Sequence, residues 1–253
     1  MSFLTPFYHR FASIMYQLRE ILFPRYCQIC GNRLMSNERH VCLTCLLRIP
    51  YTRLRGKKNS VLERNLWDDI LYTERAHSFM YYHAKTDLCQ IFFQFKYYNN
   101  PSLAVTMGEF MAHDLDGTDF FLNIDCIVPV PLSSARFQSR GYNQSERLAQ
   151  GISNVTGIPV DTWSICRTVD NPTQTHLHSQ ERMDNVRGIF ALTEQATIAG
   201  KHILIVDDMI TTGSTVRSCA HTALAAGNVK ISIISLGMSE RNREHGVPEW
   251  IRP

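Results

Sequence analysis

Two adjacent carboxylates and a run of hydroxyls close one apolar stretch, Ile203-Leu204-Ile205-Val206-Asp207-Asp208-Met209-Ile210-Thr211-Thr212-Gly213-Ser214-Thr215. Carboxylates cannot hold phosphate. They suit sugar hydroxyls or, through a metal, pyrophosphate. Thr211, Thr212, Ser214 and Thr215 add hydroxyl donors, and from about Gly213 a helical pattern runs toward Ala226. A helix amino terminus favours an anion. Phosphate beside a diol describes a phosphorylated ribose. Asp and Thr that merely cap a helix are the ordinary alternative for the acid pair alone; the combined string is far more specific. It lacks the G-x-x-x-x-G-K-[ST] and G-x-G-x-x-G patterns, so nucleoside triphosphates and dinucleotides are poor fits.

A second anion-friendly loop follows the buried strand expected over Asp125–Val130. Pro129-Val130-Pro131-Leu132 ends that strand rigidly, because proline removes a donor and fixes φ. Ser133, Ser134, Arg136 and Arg140-Gly141-Tyr142-Asn143-Gln144-Ser145 come next and lead into a helix through Leu148, Ala149 and Ile152. Two such loops on one sheet favour a ligand with two phosphate groups. A third polar segment, from Val169 to Arg187, carries Arg182 and Arg187 and fits a lid over an anion. His176 and His178 within it are expected to be plain solvated residues.

Cys27-x-x-Cys30-Gly31 and Cys42-x-x-Cys45 form the other chemical constellation. The pair of knuckles places four thiolates for tetrahedral zinc, with Gly31 permitting the tight turn. His40 stands close enough to replace one thiolate. With four ligands the site is structural, and so small a region needs such a staple. Cys89, Cys126, Cys166 and Cys219 are expected to be buried small hydrophobes.

These loops need elements to hold them. Residues 3–22 show the spacing of an amphipathic helix stopped by Pro24. Residues 53–66, with Arg53, Arg55, Lys57, Lys58 and Arg64, resemble a basic linker. Ala76–His83 alternates as a strand, and Leu88–Tyr98 and Leu103–Leu115 are helical. Phe95-Lys96-Tyr97-Tyr98 admits two readings, a base-stacking surface or a core helix edge with a snorkelling lysine. Trp163–Thr168 is a short strand, Gly188–Leu192 returns as a strand into the acid-pair strand, and Val229–Met238 is the last. The expected organisation is a helix and zinc-binding domain over residues 1–60 and an α/β domain over 68–253.

The 253 residues are 44% apolar and 19% charged, ordinary for a soluble protein with a real core. No apolar run approaches the ~18 residues of a membrane helix, and the first residues lack a clear signal-peptide cleavage site, so the cytoplasm is expected. Residues 1–66 hold 11 Lys/Arg against 3 Asp/Glu, and the remainder holds 15 against 20. That asymmetry suits an arm that contacts nucleic acid, or one that docks on the acidic body.

Taken together, the paired Cys-x-x-Cys, Phe95-Lys96-Tyr97, Val128-Pro129-Val130-Pro131-Leu132, Arg140–Ser145, Arg182-x-x-Asn185-Val186-x-Gly188-x-Phe190 and Asp207–Thr215 resemble the ComF family. Its members join a cysteine zinc domain to a type I phosphoribosyltransferase-like domain, a mostly parallel sheet flanked by helices. The resemblance implies binding of 5-phosphoribosyl-1-pyrophosphate (PRPP) or a phosphoribosyl nucleotide. Asp207 and Asp208 would hold the ribose hydroxyls and Thr211, Thr212, Gly213, Ser214 and Thr215 the 5′-phosphate. Pro131, Leu132 and Ser133 would face pyrophosphate with Mg²⁺ between, and Arg182 would lie in the flexible loop. It further implies DNA uptake and natural transformation, with helicase-type partners and single-stranded DNA. No base-recognition element can be named, so a phosphoribosyltransferase with an unknown acceptor and a PRPP-binding module both stand.

Overall fold

The fold is that of a computed structural model, which describes residues 15, 22–67, 72–83, 86–168 and 188–239. Apart from Met15 and Leu22, the helix expected over 3–22 lies outside the described residues. So do residues 169–187, expected as a lid, with Arg182, Arg187, His176 and His178, and the residues beyond Ser239. The chain divides into two compact units, Met1–Ile49 and Pro50–Pro253.

In the first unit Tyr26 and Arg33 pair antiparallel around the first cysteine turn. Gly31 takes φ +71°, the left-handed region that a side chain disfavours, and its N–H reaches Cys27 O at 2.9 Å. A short helix, α1 (Leu43–Leu47), starts at Cys42 and buries Cys45. The Glu38 carboxylate braces both halves, accepting from Met35 N at 2.7 Å and Leu43 N at 2.6 Å. Besides the cysteines, only Leu34, Val41 and Ile49 are buried apolar residues among those described here.

The second unit is built on a four-stranded parallel sheet of order β1-β6-β5-β2, from β1 (Thr73–Tyr82), β2 (Cys126–Pro129), β5 (His202–Ile210) and β6 (Lys230–Ser239). Strands covered on both faces become continuous apolar runs, and Ile203, Leu204, Ile205, Val206, Ile231, Ile233 and Ile234 are all at zero exposure. For the same reason β1 is buried along most of its length rather than alternating. A parallel sheet flanked by helices matches the expected class.

Two helices cover one side at unusually close range. They are α4 (Pro101–Asp114), capped by Asn100, and α6 (Gln144–Thr156), capped by Asn143. A Cβ on Gly108 would lie 2.2 Å from Leu148 O, and one on Gly151 2.0 Å from Val105 O. Only glycine permits that backbone contact.

Four details differ from the sequence reading. Residues 53–66 are no linker: α2 (Val61–Leu66) is capped by Ser60 in a reciprocal box with Glu63, and Leu54, Leu62, Glu63 and Leu66 are buried. Glu63 Oε1 also accepts from Ala76 N of β1 at 3.0 Å. The acid-pair strand continues past Val206 to Ile210 because β6 keeps pairing with it as far as Ile210 and Met238. Residues after Gly188 do not feed that strand. Instead β3 (Ile165–Arg167) and β4 (Phe190–Leu192) form a separate antiparallel pair. Cys89, Cys126 and Cys219 are buried, whereas Cys166 is half-buried. No helix among the described residues is long and apolar enough to cross a membrane.

Candidate functional site

The site opens where β5 loses one neighbour. Pro129 of β2 stands opposite Val206, and the last ladder bond runs from Val130 N to Val206 O at 2.9 Å. Pro131 has no N–H with which to continue. From Asp207 onward β5 is therefore paired only with β6, and a crevice begins at the carboxyl end of the sheet, where open α/β folds bind ligands.

Asp207 is 8% exposed. Its Oδ1 accepts from Ser145 Oγ at 3.3 Å and from Asp208 N at 2.9 Å. Burial holds its carboxyl well above the usual range, and the charge of Asp208 pushes the same way, against the Asp208 N–H, the Ser145 hydroxyl and Lys96. Lys96, on α3 (Gln90–Tyr97), brings its ammonium to 4.0 Å from Asp208 Oδ2. The lysine of the Phe95-Lys96-Tyr97 triplet thus faces the acid pair, while Phe95 is fully buried. Tyr142 and Gln144 fix this helix end, both donating to Phe95 O, at 2.9 and 3.2 Å.

The hydroxyl loop follows directly. Thr211, Thr212 and Thr215 are exposed, Ser214 is half-buried and Gly213 is buried. Gly213 takes φ +78° and caps α7 (Ser214–Leu224), whose first N–H groups have no partner within the helix. Thr212 Oγ1 lies 3.0 Å from Ser214 Oγ and accepts from Ser214 N at 3.4 Å. Arg217 pins the loop from below, donating to Thr212 O at 3.2 Å and to Asn65 O at 2.8 Å. Asp207, Thr211, Gly213, Ser214 and Thr215 border one small hollow.

The other expected residues divide. Ser133 is buried and caps α5 (Ser134–Arg140), accepting from Arg136 N at 3.4 Å, while Pro131 and Leu132 are half-buried beside it. A relay ties this turn to the acids. Asn143 donates to Val130 O at 3.0 Å and accepts from Ser145 N at 3.1 Å, and Ser145 then reaches Asp207. Arg182 lies outside the described residues. The motifs that contain Ser145 and Lys96 give neither of them a role at the acid pair; Asn65 and Arg217 carry no signal in the sequence.

In the first unit the Sγ atoms of Cys27, Cys30, Cys42 and Cys45 lie within 4.8 Å of one another, and this group can hold a metal ion. Cys30 Sγ and Cys42 Sγ are 3.7 Å apart. Four sulfurs around a tetrahedral ion at bond lengths of ~2.3 Å would be ~3.8 Å apart. Burial raises the Cys27 thiol, but N–H groups of Cys30, Cys42 and Ile29 outweigh it and bring it down to about 7, whereas burial pushes the Cys42 and Cys45 thiols up. His40 instead gives its carbonyl to Gln28 N at 2.9 Å.

The family model described as Phosphoribosyl transferase domain matches residues 101–249. The DNA utilization protein YhgH of Salmonella typhi is 38% identical over 109 residues, covering 43% of this chain and 47% of that protein. The match therefore spans about half the length of that relative. Competence protein F of Haemophilus influenzae is 27% identical over 215 residues, 83% of each chain. Competence protein ComFC of Bacillus subtilis is 31% identical over 101 residues, covering 40% of this chain and 39% of that protein. The resemblance to ComF-type proteins is borne out by these relatives.

Proposed function

The chain belongs to the phosphoribosyl transferase domain family, and from that membership we propose that it binds PRPP at the carboxyl end of β5 as a ComF-type protein of competence and DNA uptake. The observation that carries the reading is the meeting of the buried Asp207 and half-buried Asp208 with a hydroxyl loop at the place where β5 is freed from β2. Asp207 and Asp208 accept from the ribose 2′- and 3′-hydroxyls. Thr211, Thr212, Gly213, Ser214 and Thr215 surround the 5′-phosphate, using hydroxyls and the N–H groups that open α7. Pro131, Leu132 and Ser133 face the pyrophosphate, and Arg182 is assigned to the same anion.

Mg²⁺ would supply charge neutralisation for the pyrophosphate, and the acid pair is a donor set that suits it. The four cysteines hold structural zinc, since their spacing and full complement of sulfur ligands leave no open position. We place the protein in the cytoplasm, where thiols stay reduced.

Calorimetric titration with Mg²⁺–PRPP tests the assignment. Wild type binds in the micromolar range or tighter and Asp207→Ala/Asp208→Ala does not; a wild type that fails to bind sinks it.

Single-stranded DNA is the second partner, held by basic residues of the amino-terminal region together with helicase-type uptake proteins. Within that region Arg55 donates to Asp116 O and Lys58 meets Asp119 at 3.3 Å, so these two already serve the acidic body. Arg53 and Lys57 are exposed and point the reading instead to themselves. DNA affinity that is unchanged in Arg53→Ala/Lys57→Ala would remove them from it.

An active phosphoribosyltransferase is the alternative, favoured by an acid pair that retains a lysine at 4.0 Å. In that case pyrophosphate leaves C1 of PRPP as a base or amine attacks, and the protein mainly positions groups and steadies the leaving charge. Pyrophosphate release measured across bases and amines separates the two.

A further inference from the structure

Arg217 stands where its own helix does not favour it. It closes the first turn of α7, with its N–H donating to Gly213 O at 2.9 Å, and a cation opposes the dipole at a helix amino terminus. The turn holds no acid to offset it. Its side chain reaches away from α7 instead. Nη1 donates to Asn65 O at 2.8 Å and Nη2 to Thr212 O at 3.2 Å. Asn65 lies in the last turn of α2, where helix carbonyls run out of N–H partners and a cation is favoured. One guanidinium thus joins the hydroxyl loop to the end of α2, a segment 152 residues upstream of the arginine.

The junction has an apolar layer as well. A Cβ on Gly213 would stand 2.7 Å from Leu66 Cδ2 and 3.5 Å from Arg217 Nη1, so the loop lies directly on these two side chains. The helix beneath is itself anchored, by the box between Ser60 and Glu63 and by Glu63 Oε1 on Ala76 N at 3.0 Å. On the other flank Ser239 Oγ donates to Thr211 O at 3.1 Å. In a planar trans peptide the C=O and the following N–H point opposite ways. With Thr211 O and Thr212 O held, the N–H groups of Thr212 and Gly213 are turned away from their anchors.

We propose that Arg217 is a positioning residue of the phosphate loop and that α2 is its abutment, so that anion binding and the seating of α2 reinforce each other. This rests on the assignment of Thr211–Thr215 to the 5′-phosphate of PRPP. Arg217 touches no ligand; it sets the Thr212–Gly213 peptide whose N–H meets the anion. A phosphate that needs the loop in this shape binds with α2 seated, and by linkage it holds α2 down in return. Residues 61–66 thereby act on the site without reaching it.

Hydrogen exchange of the full-length protein, free and with Mg²⁺–PRPP, tests this beside calorimetry. Mg²⁺–PRPP slows exchange at the 61–66 amides of wild type as well as in the loop. Arg217→Ala speeds exchange at 61–66 already in the free protein, with β6 unchanged. It also lowers Mg²⁺–PRPP affinity about tenfold, near the value of one hydrogen bond to a charged group. Arg217→Lys, whose ammonium lacks the fork that spans two carbonyls, recovers part of both effects. A wild type that does not bind Mg²⁺–PRPP defeats the site assignment and the linkage built on it, whereas the free-protein comparison still decides whether α2 rests on Arg217. Exchange at 61–66 that Arg217→Ala leaves unmoved would overturn the proposal, and a fall in affinity alongside it would make Arg217 a ligand contact instead. Bound Mg²⁺–PRPP that leaves 61–66 unprotected would overturn it too.

Discussion

The hydroxyl of Ser145 donates to Asp207 Oδ1 at 3.3 Å, joining the first turn of α6 to the acid strand across 62 residues of sequence. It is one of the few groups that favour the charged form of this buried carboxyl, against burial and the charge of Asp208, which prevail.

Ser145→Ala removes that donor, so the Asp207 carboxyl rises further. In the proposed complex PRPP needs the carboxylate as acceptor, so its affinity is expected to climb as pH rises through the Asp207 titration. In the variant that climb moves to higher pH, while well above it the affinity falls only by the loss of positioning. Calorimetry from pH 6 to 9 reads the displacement; superimposable profiles would show that the hydroxyl does not act on Asp207.

The same burial makes Asp207 a cost to the unliganded fold. Its folded-state pKa lies above the ordinary 3.8, so the folded chain holds a proton that the unfolded chain releases. Stability from this group is complete below 3.8 and is lost as pH rises through the folded value. Asp207→Asn escapes that loss. It should melt higher than wild type at pH 8, by about 2–4 °C for each kcal/mol recovered, and the gap should shrink toward pH 4. Its PRPP binding should be poor.

Gly213 carries two demands at once. Its φ of +78° strains any side chain, and a Cβ there would stand 2.7 Å from Leu66 Cδ2. Leu66 is 1% exposed and has nowhere to retreat. Gly213→Ala is expected to cost about 1–3 kcal/mol and to weaken PRPP binding by displacing Thr212 and Ser214. Urea unfolding measures the first and calorimetry the second.

Much of this site was legible because it is local. Ile203 through Thr215 declare strand, acids and hydroxyl loop within thirteen consecutive residues, and the cysteine spacing declares its own geometry. What escaped was long-range. Nothing in the composition of residues 53–66 says that Glu63 bonds the backbone of Ala76 or that Leu66 packs beneath Gly213. A basic surface masked a buried face of Leu54, Leu62 and Leu66. The strand reached Ile210 because pairing with β6 outweighed the low strand preference of two aspartates. Lys96 was visible as a cation among aromatics, but its neighbour Asp208 is 112 residues away and only the fold brings them together.

Gly108 and Gly151 make the α4–α6 crossing a backbone contact. Either one changed to Ala drives a methyl into a carbonyl, at 2.2 Å from Leu148 O or 2.0 Å from Val105 O. Helix backbones cannot yield locally, so each substitution should cost about 3 kcal/mol or more. Because α6 delivers Ser145, PRPP affinity should fall even in the fraction that folds. An equal cost at an exposed α6 position such as Gln150→Ala would show that the contact is not the cause.

The first unit should stand or fall with its metal. Leu34, Val41 and Ile49 are too few to offset the entropy of ordering the cysteine loops, whereas structural zinc contributes about 10–16 kcal/mol in small cysteine–histidine modules. Metal analysis should find about one zinc per chain, and Cys45→Ser, which removes a buried ligand, should find about none. Limited proteolysis should then cut that variant, or chelator-treated wild type, within residues 25–48. Holo protein should resist at the same sites, because the Tyr26–Arg33 pairing and the Glu38 bonds to Met35 and Leu43 are held in place by the sulfur cluster they surround. Equal cleavage with and without metal would mean that those hydrogen bonds suffice and that the cysteines are not the staple.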